Sequence, residues 1–282
     1  MSGLKSRPRR RRRRGWNRLS RRSPEAAVFA EHRPQASEPE FWADHFRAHA
    51  AHVSRGWYRR LFAWNRHLGD PRWRAIRRWV RPGGRILDAG CGVGQWVSFL
   101  GDQGYRAEGL DYSPELVETL RQAFPNGRWL AGPVQAMPVE SESVEGLISW
   151  GVIEHDPAGP QAALVEIRRV LKRGGVAVMT VPRDSRAMRQ AVGAGASDGP
   201  FYQFLFDEAS LRGEVEKAGF EVVAIRPTER HMAVAFPTLY ARIRSRGHLF
   251  EALFGLVLRP VLMLMPESAS MLMVVVRRPE TS

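Results

Sequence analysis

Between Arg85 and Pro227 short apolar runs alternate with amphipathic stretches, and that alternation constrains the fold more than any other feature of the chain. Strands are expected at Arg85–Ala89, Ala107–Asp111, Arg128–Ala131, Val144–Ser149, Val176–Val181 and Phe220–Arg226. Helices are expected between them at Gly94–Gln103, Pro114–Ala123, Gln161–Leu171 and Asp207–Ala218. In the third helix Leu164, Ile167 and Leu171 form the stripe that would be buried. Strand-helix alternation at this spacing builds an α/β fold, a parallel sheet with helices on both faces. Met271–Val276 reads as one more buried strand, and no internal repeat is visible.

The chemistry-bearing stretch is Ile86-Leu87-Asp88-Ala89-Gly90-Cys91-Gly92-Val93-Gly94, an apolar strand running into Gly-x-Gly-x-Gly and then a helix. Glycines let the backbone approach a ligand and adopt positive φ, and the helix that follows aims its free N–H groups at the same place. Alone this signal is shared by many nucleotide binders. It is strengthened by Asp111, which closes the second strand 21 residues after Gly90. A carboxylate there can accept hydrogen bonds from both hydroxyls of a ribose. A dinucleotide would prefer Gly-x-Gly-x-x-Gly, whereas here the third glycine comes one residue early and position 95 is Gln. That spacing favours a cofactor with a ribose and no phosphate.

The single cysteine, Cys91, excludes an internal disulfide and a multi-thiolate zinc site. The net charge of +14 is concentrated at one end, because residues 1–22 hold eleven cations and no acid. Such a block repels itself and is expected to be disordered. It reads either as a solubilising arm or as an attraction to phosphate, on a membrane surface or on RNA. No apolar run follows the arginines, so a secretory signal peptide is not expected, although an organellar transit peptide fits the composition.

From Glu38 to Val80 the pattern is helical and rich in aromatics. Trp57, Leu61, Trp64 and Leu68 fall on one stripe, and a second short helix repeats the idea with Trp73, Ile76 and Val80. Both stripes are expected to pack on the domain that follows; the other reading seats Trp and Arg at a lipid headgroup boundary. Leu249–Met265 is apolar but broken by Glu251, Arg259 and Pro260, too short for a membrane span of about 20 residues. The chain therefore divides into a basic arm at 1–37, a helical cap at 38–81, and a domain at 82–282 with an apolar helical insertion at about 230–268.

In five places the sequence resembles the class I S-adenosylmethionine-dependent methyltransferases, nearest in feel to the branch that methylates small molecules, quinones and lipids. The motifs are Leu87–Gly94, Gly109-Leu110-Asp111-Tyr112-Ser113, Gln135-Ala136-Met137-Pro138, Ser149-Trp150-Gly151-Val152-Ile153-Glu154-His155 and Arg169-Val170-Leu171-Lys172-Arg173-Gly174-Gly175. The resemblance covers about residues 80–227 and the last strand, a little over half the chain. The resemblance implies an α/β, Rossmann-like seven-stranded sheet, mostly parallel with its last strand antiparallel, and S-adenosylmethionine at the carboxyl ends of the first strands. It places Gly90, Cys91, Gly92 and Gly94 along the methionine part of the cofactor. Asp88 would steady that loop or the amino group, Asp111 the ribose, and Tyr112 would pack near the adenine. Val134, Gln135 and Trp150 complete the cofactor contacts it implies. Two departures stand out: Pro133 replaces an acid that binds the adenine amino group, and the fourth motif's usual acid is altered in Ser143-Val144-Glu145.

A hydroxyl acceptor would need a base, and His155, after the fourth strand, is the candidate; its other reading is a histidine that orients the loop through the backbone. Tyr58, Tyr202 and His231 are weaker candidates for the pocket. His45, His49 and His52 share a helical face but lack a fourth ligand, so no metal site is expected. Cys91 inside the glycine loop reads as a small loop residue, which argues against cytosine methylation, and Ser149-Trp150-Gly151-Val152 argues against amino methylation of DNA. The leading expectation is an enzyme that methylates a small hydrophobic or membrane-associated acceptor by in-line transfer, cytoplasmic or peripheral at a membrane. An RNA-directed methyltransferase using the arginine arm and a non-catalytic binding protein are the alternatives.

Overall fold

The computed structural model of the protein describes residues 29–32, 53, 55–186, 188–189, 201–230 and 268–281. Two helices lead in, α1 (Gly56–His67) and α2 (Pro71–Trp79). The alternating region gives β2 (Arg85–Ala89), α3 (Gln95–Asp102), β3 (Arg106–Asp111), α4 (Pro114–Ala123), β4 (Arg128–Ala131), β5 (Val144–Trp150), α5 (Gln161–Val170) and β6 (Leu171–Pro182). Then follow β7 (Phe201–Leu205), α6 (Glu208–Lys217), β8 (Glu221–Arg230) and β9 (Ala269–Arg277). A short strand, β1 (Phe29–His32), stands within the segment expected to be a disordered arm and pairs antiparallel with β7.

The main sheet has seven strands in the order β4-β3-β2-β5-β6-β9-β8. β9 runs antiparallel to both its neighbours, and the remaining ladders are parallel. Alternation along the strands sends side chains to two cores. Leu87, Leu147, Met179 and Val274 face α5 and α6 through Leu164, Ile167, Leu211 and Val215. Ile86, Ile148, Val178 and Val275 face α2 and α3 through Trp73, Ile76, Trp96 and Phe99. A smaller cluster of Val97, Val117, Leu120 and Trp129 seats α4.

Local chemistry explains the element ends. Ser113 Oγ accepts from Leu116 N (3.2 Å) ahead of Pro114 to start α4, and Asp207 with Ser210 forms a reciprocal cap on α6. β6 begins at Leu171, five residues before the expected Val176, because Val144 pairs with Leu171. There α5 ends, and Arg278 fills its carboxyl terminus: Nη1 donates to the carbonyls of Arg168, Arg169 and Leu171 at 2.9, 3.2 and 2.7 Å. A cation is well placed on carbonyls that the helix leaves without partners.

Trp73, Ile76 and Val80 are buried, as their spacing predicts. The stripe on α1 is not. Trp57, Leu61, Trp64 and Leu68 are 59, 53, 55 and 51% exposed. The helix docks its opposite face, where Phe62 meets Trp96 and Phe99 edge-on at 5.7 and 5.8 Å. On that same face Tyr58 Oη donates to Gln95 Oε1 (3.1 Å) and Arg59 pairs with Asp102. At about 100° per residue Phe62 and the stripe lie on opposite sides, so docking one exposes the other.

Candidate functional site

The chain builds β2, β3 and β4 outward in one direction, then returns to the far side of β2 with β5 and β6. Their carboxyl ends open a crevice at that reversal, where ligands of open α/β sheets bind. The glycine loop forms its floor. Gly90 N and Cys91 N both donate to Leu110 O (2.8 and 2.9 Å), tying the loop to β3. Gly90 and Gly94 have φ of 86° and 72°, and a Cβ would lie 2.4 Å from Val152 Cγ2 at the first and 2.5 Å from Trp129 at the second. Only glycine fits either place.

Two carboxylates stand beside the loop. Asp111 Oδ2 accepts from Gly92 N (3.0 Å) and Oδ1 from Ser113 N (3.2 Å). Burial pushes this carboxyl up, and the amide bonds from Ser113, Gly92 and Tyr112 oppose that rise. Asp88 is 2% exposed, and its Oδ1 has no hydrogen-bond partner among the described residues. Burial, then the negative charge of Asp111, hold it well above the ordinary carboxylate range. Cys91 turns into the cluster of Leu116, Val117, Leu120 and Trp129, and burial raises its thiol well above the usual value. That is a packing residue, not a nucleophile.

Tyr112 is partly exposed where β3 ends. Val134 is buried in the core, while Gln135 reaches from the loop after β4 to the loop after β5, donating to Asp156 Oδ2 at 3.0 Å. Asp156 has no place in the sequence-level site and enters through this contact alone. Pro133 accepts at its carbonyl from Ala136 N (3.1 Å) and offers no N–H in return.

On the other side of the crevice Trp150 meets Trp96 at 5.2 Å, and the Arg72 guanidinium lies 5.5 Å from its ring. Trp150 is the register partner of Thr180 on β6. Neither the indole Nε1 nor Thr180 Oγ1 has a partner among the described residues. His155 Nδ1 lies 2.7 Å from Tyr202 O, and since a carbonyl only accepts, Nδ1 carries the proton. Nε2 is then the basic nitrogen, 3.9 Å from Glu154 Oε1. Glu154, one residue earlier, is 1% exposed with Oε2 unpartnered among the described residues. Burial raises its pKa to about 8, with a further rise from the charge of Glu229 and opposing pulls from the Glu154 and Val152 amides. Its sequence signal was an acid set after Val152 and Ile153, in a run otherwise apolar.

Among the other candidates, Tyr58 supports the start of α3, and Tyr202 supplies the carbonyl that fixes His155. His231, His45, His49 and His52 lie outside the described residues, as does the apolar stretch Leu249–Met265. No group of three or more metal-ligating side chains occurs among the described residues.

A family model described as a methyltransferase domain matches residues 46–225. The chain belongs to this methyltransferase family. Among curated relatives it is 33% identical over 138 residues to a Mycolicibacterium smegmatis protein named a probable S-adenosylmethionine-dependent methyltransferase, covering 49% of this chain and 52% of that one. It is 33% identical over 95 residues to the malonyl-[acyl-carrier protein] O-methyltransferase of Serratia marcescens, covering 34% and 37%. The chain thus spans about half or less of the length of these methyltransferase relatives. A chain from the structure of the Haloferax volcanii Trm112 methyltransferase activator with a methyltransferase superposes with a TM-score of 0.57 at 22% identity, over 85% of this chain and 98% of that chain. This likeness shows the methyltransferase fold, whose seven strands and antiparallel last strand are those the resemblance implies.

The cofactor that the family implies is S-adenosylmethionine, and the crevice fits it. A cradle with no room for any Cβ, a buried unpartnered carboxylate oxygen on Asp88, and a second carboxylate held by amides on Asp111 suit a ligand with an ammonium group and a ribose.

Proposed function

We propose that this chain transfers a methyl group from S-adenosylmethionine to a small hydrophobic acceptor at an anionic membrane surface. In this reading Gly90, Gly92 and Gly94 admit the cofactor, Asp88 receives its amino group, Asp111 its ribose, and Tyr112 packs near the adenine. Bound there, the cofactor supplies an electrophilic methyl group on a sulfonium. The residues then have two tasks, to hold the acceptor in line and to keep water out, and positioning is most of such catalysis. Trp150 and Trp96 wall the acceptor side.

The membrane part of the reading is carried by the exposed stripe of Trp57, Leu61, Trp64 and Leu68. Residues 55–81 around it hold nine arginines against one acid, Asp70. Tryptophan and leucine beside a dense basic surface suit a helix lying in a headgroup layer, where each cation adds about 1 kcal/mol near anionic lipid. Among the described residues no helix is long and apolar enough to cross a membrane. Flotation of the full chain with phosphatidylserine-containing vesicles tests the surface, and calorimetry with S-adenosylmethionine tests the cofactor site. Binding to vesicles at low salt, reduced at high salt, is the expected result. Absence of vesicle binding at low salt would remove the membrane, and salt-sensitive RNA binding in its place would move the acceptor to RNA.

A further inference from the structure

We propose that Glu154 is the catalytic base of this chain and that the acceptor presents a hydroxyl, received between Glu154, the Trp150 indole N–H and the Thr180 hydroxyl. The proposal rests on the methyl-transfer reading above and goes past it by naming the reacting group and the residue that takes its proton.

Buried polar groups in folded proteins are nearly always hydrogen-bonded, so each exception asks for an explanation. Among the described residues three such exceptions fall on neighbouring elements: Trp150 Nε1, Thr180 Oγ1 and Glu154 Oε2. Trp150 and Thr180 are direct partners across β5 and β6, and Gly151 N donates to Thr180 O (3.0 Å). Glu154 is brought to the same place by the short helical turn at Ile153–His155, with Oε1 3.4 Å from where a Cβ on Gly151 would stand. Trp150 and Thr180 thus lie side by side at the carboxyl ends of these strands, and Glu154 stands at Gly151, next to both in the ladder.

Their chemistry selects the ligand. An indole N–H only donates, an ionised carboxylate only accepts, and a threonine hydroxyl does both. An acceptor oxygen has two lone pairs, one to receive the indole N–H and one to attack, and it carries a proton that Glu154 can take. An amine nitrogen has a single lone pair and cannot do both. In the transfer the hydroxyl proton passes to Glu154 Oε2, the oxygen bonds the methyl carbon, and the pair of the broken carbon–sulfur bond stays on sulfur. The carboxylate and sulfonium charges cancel.

The surroundings tune and empty the base. Burial, with the Glu229 charge at the end of β8, holds Glu154 near pH 8, close to where a base works best; the Val152 and Glu154 amides pull the other way. Arg72 on α2 pairs with Glu229, and Glu229 holds a left-handed φ of 51° that is uncommon for its residue type. His155 is 21% exposed, and its basic Nε2 at 3.9 Å offers the proton a way to solvent.

The test uses the full chain with S-adenosylmethionine and a long-chain alkylphenol in detergent micelles, with the matched alkylaniline alongside. The wild-type kcat for the phenol should rise through about pH 8. Glu154→Gln should lower kcat by about 10²–10⁴-fold with calorimetric cofactor affinity unchanged, and Glu154→Asp should recover part of it. Carboxyl titration by isotope-edited infrared spectroscopy, read with S-adenosylhomocysteine bound and no turnover, should show a group near pH 8 that vanishes in Glu154→Gln. A wild-type rate in Glu154→Gln, a Glu154 carboxyl titrating in the ordinary glutamate range, or methylation of the aniline in preference to the phenol would each overturn the proposal. Failure of the wild type to bind the cofactor is read separately by calorimetry, and it would overturn the methyl-transfer reading and this proposal with it.

Discussion

Glu154 and Asp88 show how much a single buried carboxylate sets. The rise of Glu154 from an ordinary 4.5 to about 8 means that the folded chain holds its proton more tightly than the unfolded one. Its stability contribution is then full below about pH 4.5 and declines as pH rises to about 8, by roughly 5 kcal/mol across that window. Glu154→Gln lacks this term, so in urea denaturation it should match the wild type near pH 4.5 and exceed it at pH 8 and above. Equal curves at both ends would mean that the carboxyl is not held neutral by the fold. Asp88 and Asp111 are raised for the same reason, burial first. Cofactor affinity measured by calorimetry should accordingly weaken as pH falls, beginning above the range of an ordinary carboxylate, and Asp111→Ala should weaken it at every pH. At this scale the sequence was explicit about the glycine loop and Asp111, because strand, turn and acid lie within one short stretch. Glu154 stayed hidden, since its role depends on Thr180 and Glu229, which are far away in the chain.

The elements divide into those fixed by local pattern and those fixed by contact. Strand β4 and helix α4 have the expected bounds, because Ser113 and Pro114 start the helix wherever the chain goes. Helix α1 is different. It carries apolar residues on two faces, and periodicity alone cannot say which one docks. Contacts with Trp96, Phe99, Gln95 and Asp102 decide for Phe62, Tyr58 and Arg59. Replacing Trp57 and Trp64 together by alanine should change stability by less than about 1 kcal/mol, as surface substitutions do, yet abolish vesicle binding. Phe62→Ala should instead cost about 3 kcal/mol, read by the same denaturation. At the far end of the chain, Arg278→Ala should cost about 2–3 kcal/mol, because it strips the carboxyl terminus of α5 of its cation and leaves Glu142 without that partner.

Across the whole molecule, charge and architecture converge on one end of the sheet. α2 brings Arg72 to Glu229 on β8 and over Trp150, so the basic helical pair abuts the Trp150 side of the crevice. β1 is held by β7, whose Tyr202 carbonyl fixes His155, so the chain is tied beside the site seven residues after Arg22 and its cationic block. If these cations act at a distance, deleting residues 1–22 should weaken vesicle binding and flatten its salt dependence while leaving calorimetric cofactor affinity unchanged. The sequence by itself determined the α/β alternation, the cofactor loop and the family, since each is written in short-range spacing and in glycines that no other residue can replace. Only the tertiary structure decided which face of α1 is open, where β1 is anchored and which buried polar groups are left without a partner among the described residues. Those are properties of surfaces brought together from distant parts of the chain, and a surface has no partner until the sheet has formed.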